Sequence, residues 1–133
     1  MDPSMSAHAA ALWVGVHLLL LLVLSILVVR QRRRHRVELG DGGVEELARA
    51  IRAFGNAAEY IPAGLIAIAV LAVVGAHQLA IHVTGVLLFA GRVIHAFGLS
   101  NSASASPPRA VGMLATWIAY VFAGVALVFY AIV

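Results

Sequence analysis

From Ala9 to Val29 the chain runs for 21 residues without a formal charge, and three more apolar stretches of similar length follow it. A helix needs about 20 consecutive apolar residues to cross the hydrocarbon core of a bilayer. Four such helices with short connections use up nearly all of the 133 residues. The chain is therefore expected to be an all-α integral membrane four-helix bundle forming a single domain over 1–133, with spans at about 9–29, 54–75, 79–99 and 110–132. Composition excludes the soluble alternative. Only 11% of the residues are charged, 62% are hydrophobic and the mean hydropathy is +0.98, whereas a soluble domain carries about a quarter charged residues.

The first apolar run ends at Arg30-Gln31-Arg32-Arg33-Arg34-His35-Arg36. A cleaved signal peptide places its positive charge before the apolar stretch; here the order is reversed, so the segment reads as a retained span with the arginines on the cytoplasmic side. Gly40-Asp41-Gly42-Gly43 marks a turn. From Val44 the spacing of Val44, Leu47, Ile51 and Phe54 predicts a helix that starts in the cytoplasm and runs into the bilayer, with Pro62 inside it as a kink. The short Gly75–Gln78 connection predicts adjacent, antiparallel second and third helices. Ser100–Pro108 is small, polar and proline-terminated, hence a loop. The connection at Gly75–Gln78 has no formal charge while the other two carry Arg, so both termini are expected outside. All nine positive charges are Arg, and most fall in the one run at 30–36. That reads as a topology signal with some attraction for anionic lipid headgroups, and no nucleic-acid partner is expected.

The chain has no Cys, which removes disulfides, thiolate nucleophiles and cysteine metal sites from consideration. The histidines lack ligand spacing, so no metal is expected; His17, alone in the first span, reads as hydrogen-bonded packing. Beyond Tyr60 the only formally charged residues are Arg92 and Arg109. A charge inside a span costs on the order of 3 kcal/mol or more and needs a partner. In the second helix Arg52, Asn56 and Glu59 share one stripe, and in the third Arg92 and His95 share another, at similar depth. The two stripes are expected to face each other. A Glu59–Arg92 pair could serve only to hold the helices together, but Arg52, Arg92 and Arg109 outnumber Glu59. The missing anion invites a ligand with carboxylates that arginine can fork. Arg109 follows two prolines at a helix start, where free N–H groups and the helix dipole also favour an anion; the alternative there is an interfacial, snorkelling arginine. Gly85, Gly91, Gly98, Gly112 and Gly124 are expected to permit close helix packing.

Taken together, Arg52-x-x-x-Asn56-x-x-Glu59-Tyr60-x-Pro62, Gly91-Arg92-x-x-His95 and the Arg109 that opens the fourth span resemble the signature of the MAPEG family, the membrane-associated proteins in eicosanoid and glutathione metabolism. The Gly40-Asp41-Gly42 loop followed by Arg52-Ala53-Phe54-Gly55-Asn56 is similar to its bacterial branch. The resemblance implies a homotrimer in a bacterial inner membrane, with glutathione as co-substrate bound between neighbouring subunits. It implies that Arg52, Asn56, Glu59, Tyr60, Arg92 and His95 bind glutathione, and that Arg109 stabilises the thiolate. The thiolate would attack a lipophilic electrophile or peroxide arriving from the membrane lipid. Leu99 and Ala110 stand where some characterised relatives carry Tyr and Ser, and the family includes a non-catalytic binder. The implied function is a glutathione-dependent transferase or peroxidase. The alternatives are a binder of glutathione or lipid in the same cavity and a structural membrane protein.

Overall fold

A computed structural model describes residues 3–102 and 104–132 as four helices in chain order: α1 (Pro3–His35), α2 (Glu45–Val73), α3 (Gln78–Asn101) and α4 (Pro107–Ile132). Ala103, within the expected loop, and the outermost residues of the chain lie outside the described residues. Each helix is long and apolar enough to cross a membrane, and the protein is an all-α, membrane-spanning four-helix bundle. The arginine run forms the last turns of α1 itself, which reaches His35. Pro62 sits within an unbroken α2.

The connections are closed by local hydrogen bonds that the sequence signals announce. At the end of α2, Gly75 takes a left-handed φ of 73°. Its N–H donates to Ala72 O at 3.2 Å and the Ala76 N–H donates to Leu71 O at 2.9 Å, a Schellman termination that satisfies the last carbonyls. His77 then caps α3, its ring accepting the Leu79 N–H at 3.1 Å. Only Val74–His77 separate the two helices, which is why α2 and α3 form an antiparallel hairpin. At the basic end, Arg32 donates to the carbonyls of Glu38 and Gly40 at 3.2 and 2.9 Å. Asp41 Oδ1 accepts the Gly43 N–H at 2.9 Å in an Asx turn.

The hairpin is the centre of the bundle. α1 packs against α2 and α3, α4 packs against α3 and α2, and among the described residues α1 and α4 do not pack against each other. Leu18, Leu19, Leu22, Val23 and Ile26 of α1 are each more than half exposed. In water such a face would be a liability, whereas lipid tails are as apolar as leucine and accept it. For the same reason hydrophobicity does not drive helix to helix here, and close packing with polar ties holds the bundle together.

The closest packing is between α3 and α4. A methyl carbon placed on Gly112 would lie 2.5 Å from His95 N and 2.6 Å from Gly91 O, and one on Gly91 would lie 2.8 Å from Gly112 O. Gly98 makes a similar approach to Arg109 and Pro108, and Gly85 leaves a slot that the Trp13 ring fills. Gly124 differs from expectation: a side chain there would meet open space. Polar ties fasten the end opposite the arginine run. Ser6 Oγ donates to Ala76 O at 2.8 Å, the His77 N–H donates to Tyr130 at 3.0 Å, and Trp13 Nε1 donates to His82 Nδ1 at 3.1 Å. His17 is fully buried, its Nδ1–H donating to Trp13 O at 2.6 Å, in keeping with a packing role.

Candidate functional site

Arg92 is the largest fully enclosed side chain in the bundle, 1% exposed. α3 projects it between α2 and α4, because residue 92 follows Gly91 on the seam where α3 meets α4. Its Nη1 donates to Asn56 Oδ1 at 2.7 Å, Nε donates to Thr116 Oγ1 at 2.9 Å, and Nη2 reaches Gly112 O at 3.4 Å. Thr116 in turn donates to Gly112 O at 2.9 Å. The guanidinium also lies 4.9 Å from the centroid of the Tyr60 ring, a cation–π contact strengthened by the burial of Arg92. Tyr120 donates its hydroxyl to the Tyr60 carbonyl and so holds α2 to α4 beside the same contact. None of these partners is a carboxylate, so a positive charge is retained inside the bundle on neutral ligands alone.

The two polar stripes do meet, but through Asn56 and not Glu59. Residues seven apart on a helix nearly eclipse, while Asn56 stands about 40–60° round from both Arg52 and Glu59. That rotation turns Asn56 into the bundle and leaves Arg52 and Glu59 on its outer surface. They face each other at 3.9 Å with side chains 63% and 58% exposed. The Glu59–Arg92 pair does not form.

Beside Asn56, the basic ends of α2, α3 and α4 part to leave a cavity of about 380 Å³. Arg52, Asn56, His95 and Arg109 all line it. Arg92, Tyr60 and Glu59 do not line it; Arg92 is joined to it by its hydrogen bond to Asn56. Glu45, Arg49, Leu99 and Met113 also line the cavity, and sequence reasoning did not pick them out as site residues. Arg49 and Glu45 were legible only as surface charges of an amphipathic first turn; they form an i, i+4 pair at 2.6 Å. Thr116, which anchors Arg92, has no charge to mark it; its spacing of four from Gly112 is the only cue.

The hydrogen bonds fix the polarity of the lining. A guanidinium can only donate, so Asn56 must turn Oδ1 toward Arg92, leaving its amide N–H₂ for the cavity. His95 Nδ1 lies 2.8 Å from Arg109 O. A carbonyl can only accept, so Nδ1 carries the proton and the neutral ring presents Nε2 as an acceptor. Arg109 donates from Nη1 to Ser104 O at 2.7 Å, which fixes its side chain against the loop between α3 and α4. Arg49, Arg52 and Arg109 line the cavity with one carboxylate, Glu45, and Glu59 meets Arg52 from outside it, so with the enclosed Arg92 behind them four guanidiniums face two carboxylates. The arrangement is suited to an anion with several oxygens. Among the described residues no cluster of three or more metal-ligating side chains occurs.

The inner membrane protein YecN of Escherichia coli K12 is 41% identical over 110 residues, which cover 83% of this chain and 82% of that protein. YecN of E. coli O6:H1 matches to the same extent. The MAPEG family model matches residues 10–129, from the first span to the last, and the chain belongs to the MAPEG family.

Proposed function

We propose that the protein is a glutathione-dependent transferase or peroxidase of a bacterial inner membrane, acting on lipophilic electrophiles. The observation that carries this reading is the excess of guanidinium around a cavity set into a membrane bundle. Glutathione brings two carboxylates for Arg49 and Arg52 to fork and amide carbonyls for the Asn56 N–H₂ to meet. Arg109, at the start of α4, supplies positive charge for the thiolate, whose attack on an electrophile is the chemical step. The membrane location of the related YecN supports the assignment to an inner membrane, and the arginines at the end of α1 support an orientation with both termini periplasmic.

The reading includes a homotrimer whose neighbouring subunits complete the glutathione site. Its support is the outward-facing Arg52 and Glu59, a charged pair on the surface of a spanning helix that a second subunit would cover. The apolar groove along α4, lined by Leu114, Trp117, Ile118 and Val121 among others, is open to lipid and suits the approach of a lipophilic substrate. Leu99 favours a second reading, a non-catalytic binder, because it brings no hydroxyl to the cavity wall.

Glutathione titrated into the protein in detergent tests the proposal. Binding is expected to raise thermal stability and to produce the ultraviolet band of a thiolate, and Arg109→Ala is expected to abolish the band while leaving binding within about tenfold. Binding without thiolate or turnover would leave the binder; no binding at all would leave a structural protein.

A further inference from the structure

We infer that His95 takes the proton from the thiol in this cavity, acting as a base beside Arg109. The inference rests on the glutathione reading and goes beyond it by giving the proton an address. Deprotonating a thiol requires positive charge to hold the sulfur and an acceptor for the proton, and the arginines can only supply the first. The acceptors of the cavity are few. Asn56 Oδ1 is taken by Arg92, the Arg109 carbonyl is taken by His95 itself, the Ser102 hydroxyl is engaged with Ser104, and Glu45 holds Arg49 through Oε1 on the exposed outer side. His95 Nε2 is different: it has no partner among the described residues, yet it is not shut away from the cavity that the ring lines.

The ring is also fixed for the task. It is 7% exposed and held by Nδ1–H to the Arg109 carbonyl at 2.8 Å, so the base is tied to the residue whose guanidinium is to hold the sulfur. In the step, the S–H bond breaks, its electron pair stays on sulfur as thiolate, and the proton forms a new N–H bond at Nε2. The groups that face the ring are Arg109 from α4, Arg49, Arg52 and Glu45 from α2, and Arg92 from α3 itself. Their excess of positive charge favours the thiolate and opposes a lasting imidazolium. The proton therefore passes to water at the cavity mouth. Because Nδ1–H stays bonded to the carbonyl, it leaves from Nε2, and the ring returns to its starting tautomer.

The test compares wild type with His95→Asn, since an asparagine amide can keep the donation to Arg109 O but offers no acceptor where Nε2 stood. Calorimetry with γ-glutamyl-alanyl-glycine, which lacks the thiol, is expected to show binding to both proteins, so that the variant is known to keep the cavity. On rapid mixing with glutathione, the thiolate band of His95→Asn is expected to form at least about tenfold more slowly than in wild type, with the final amplitude little changed, because a base that returns to its starting tautomer alters the rate and leaves the equilibrium to the arginines. Wild type in weak buffer at neutral pH is expected to release a proton on binding glutathione. Superimposable time courses of thiolate formation overturn the inference, as does glutathione binding to wild type without thiolate or proton release, a result that does not depend on how the variant folds. If wild type binds neither tripeptide, the glutathione reading has failed, and calorimetry alone tells that result from the others.

Discussion

The two ends of the bundle are built on opposite plans. Opposite the arginine run, the helices are fastened. Trp13 fills the slot at Gly85 and donates to His82, Ser6 reaches the turn after α2, and Tyr130 takes the N–H of His77. At the arginine end, α2, α3 and α4 part around a charged cavity, and the charges that line it are only partly matched. In a bilayer, where apolar packing between helices gains little over contact with lipid, an open and cation-rich end needs rigidity from elsewhere. The fastened end and the glycine seam of α3 and α4 provide it. Cohesion and charge are separated along the length of the bundle.

The largest expected effect comes from the seam that both ends depend on. Gly112→Val forces a side chain against the His95 and Gly91 backbone, which cannot yield as a side-chain tip would. We expect a loss of about 3 kcal/mol, read as collapse of the monodisperse peak on size exclusion in detergent, and no glutathione binding in whatever protein remains. A well-behaved, binding-competent Gly112→Val protein would remove the seam from the account. An intermediate effect is expected at Arg92. Replacing it by Met leaves Asn56 Oδ1 without its donor, at a cost of about 2 kcal/mol, and frees the Asn56 amide to turn. Thermal stability and glutathione affinity should fall together, and a fall in only one would mean that Arg92 serves only one of the two plans. The smallest effect belongs to the fastened end. Trp13→Phe keeps most of the ring in its slot but loses the bond to His82, at about 1 kcal/mol. Glutathione affinity should not change, and a loss of affinity there would show that the two ends are coupled.

The sequence made the spans and their polar residues legible because hydropathy and charge are properties of single stretches. Runs such as 9–29 and the isolated Arg92 need no knowledge of the fold to be noticed. What it did not disclose was the rotation of one helix against another. Asn56 and Glu59 lie on one broad stripe, and only the packing of α2 on α3 decides which of them meets Arg92. Charge attraction suggested Glu59, but the rotation of α2 that buries Leu47, Ala53 and Ala57 turns Asn56 inward with them. Thr116 escaped notice because a lone hydroxyl in an apolar helix resembles its neighbours. Arg49 and Glu45 were visible as charges, but their place on the cavity wall depends on how α3 and α4 end.

The four-residue turn between α2 and α3 has a consequence for how the chain is made. Val74–His77 carry no formal charge and their backbone is largely hydrogen-bonded internally, so little polar matter has to be dragged through the lipid when α2 and α3 insert. The hairpin can enter as one piece during synthesis, Asn56 and Arg92 already joined as it crosses. Arginines such as those that end α1 are instead costly to carry through lipid. The connection with least sequence to it is thereby the one that a bilayer can pass at least cost.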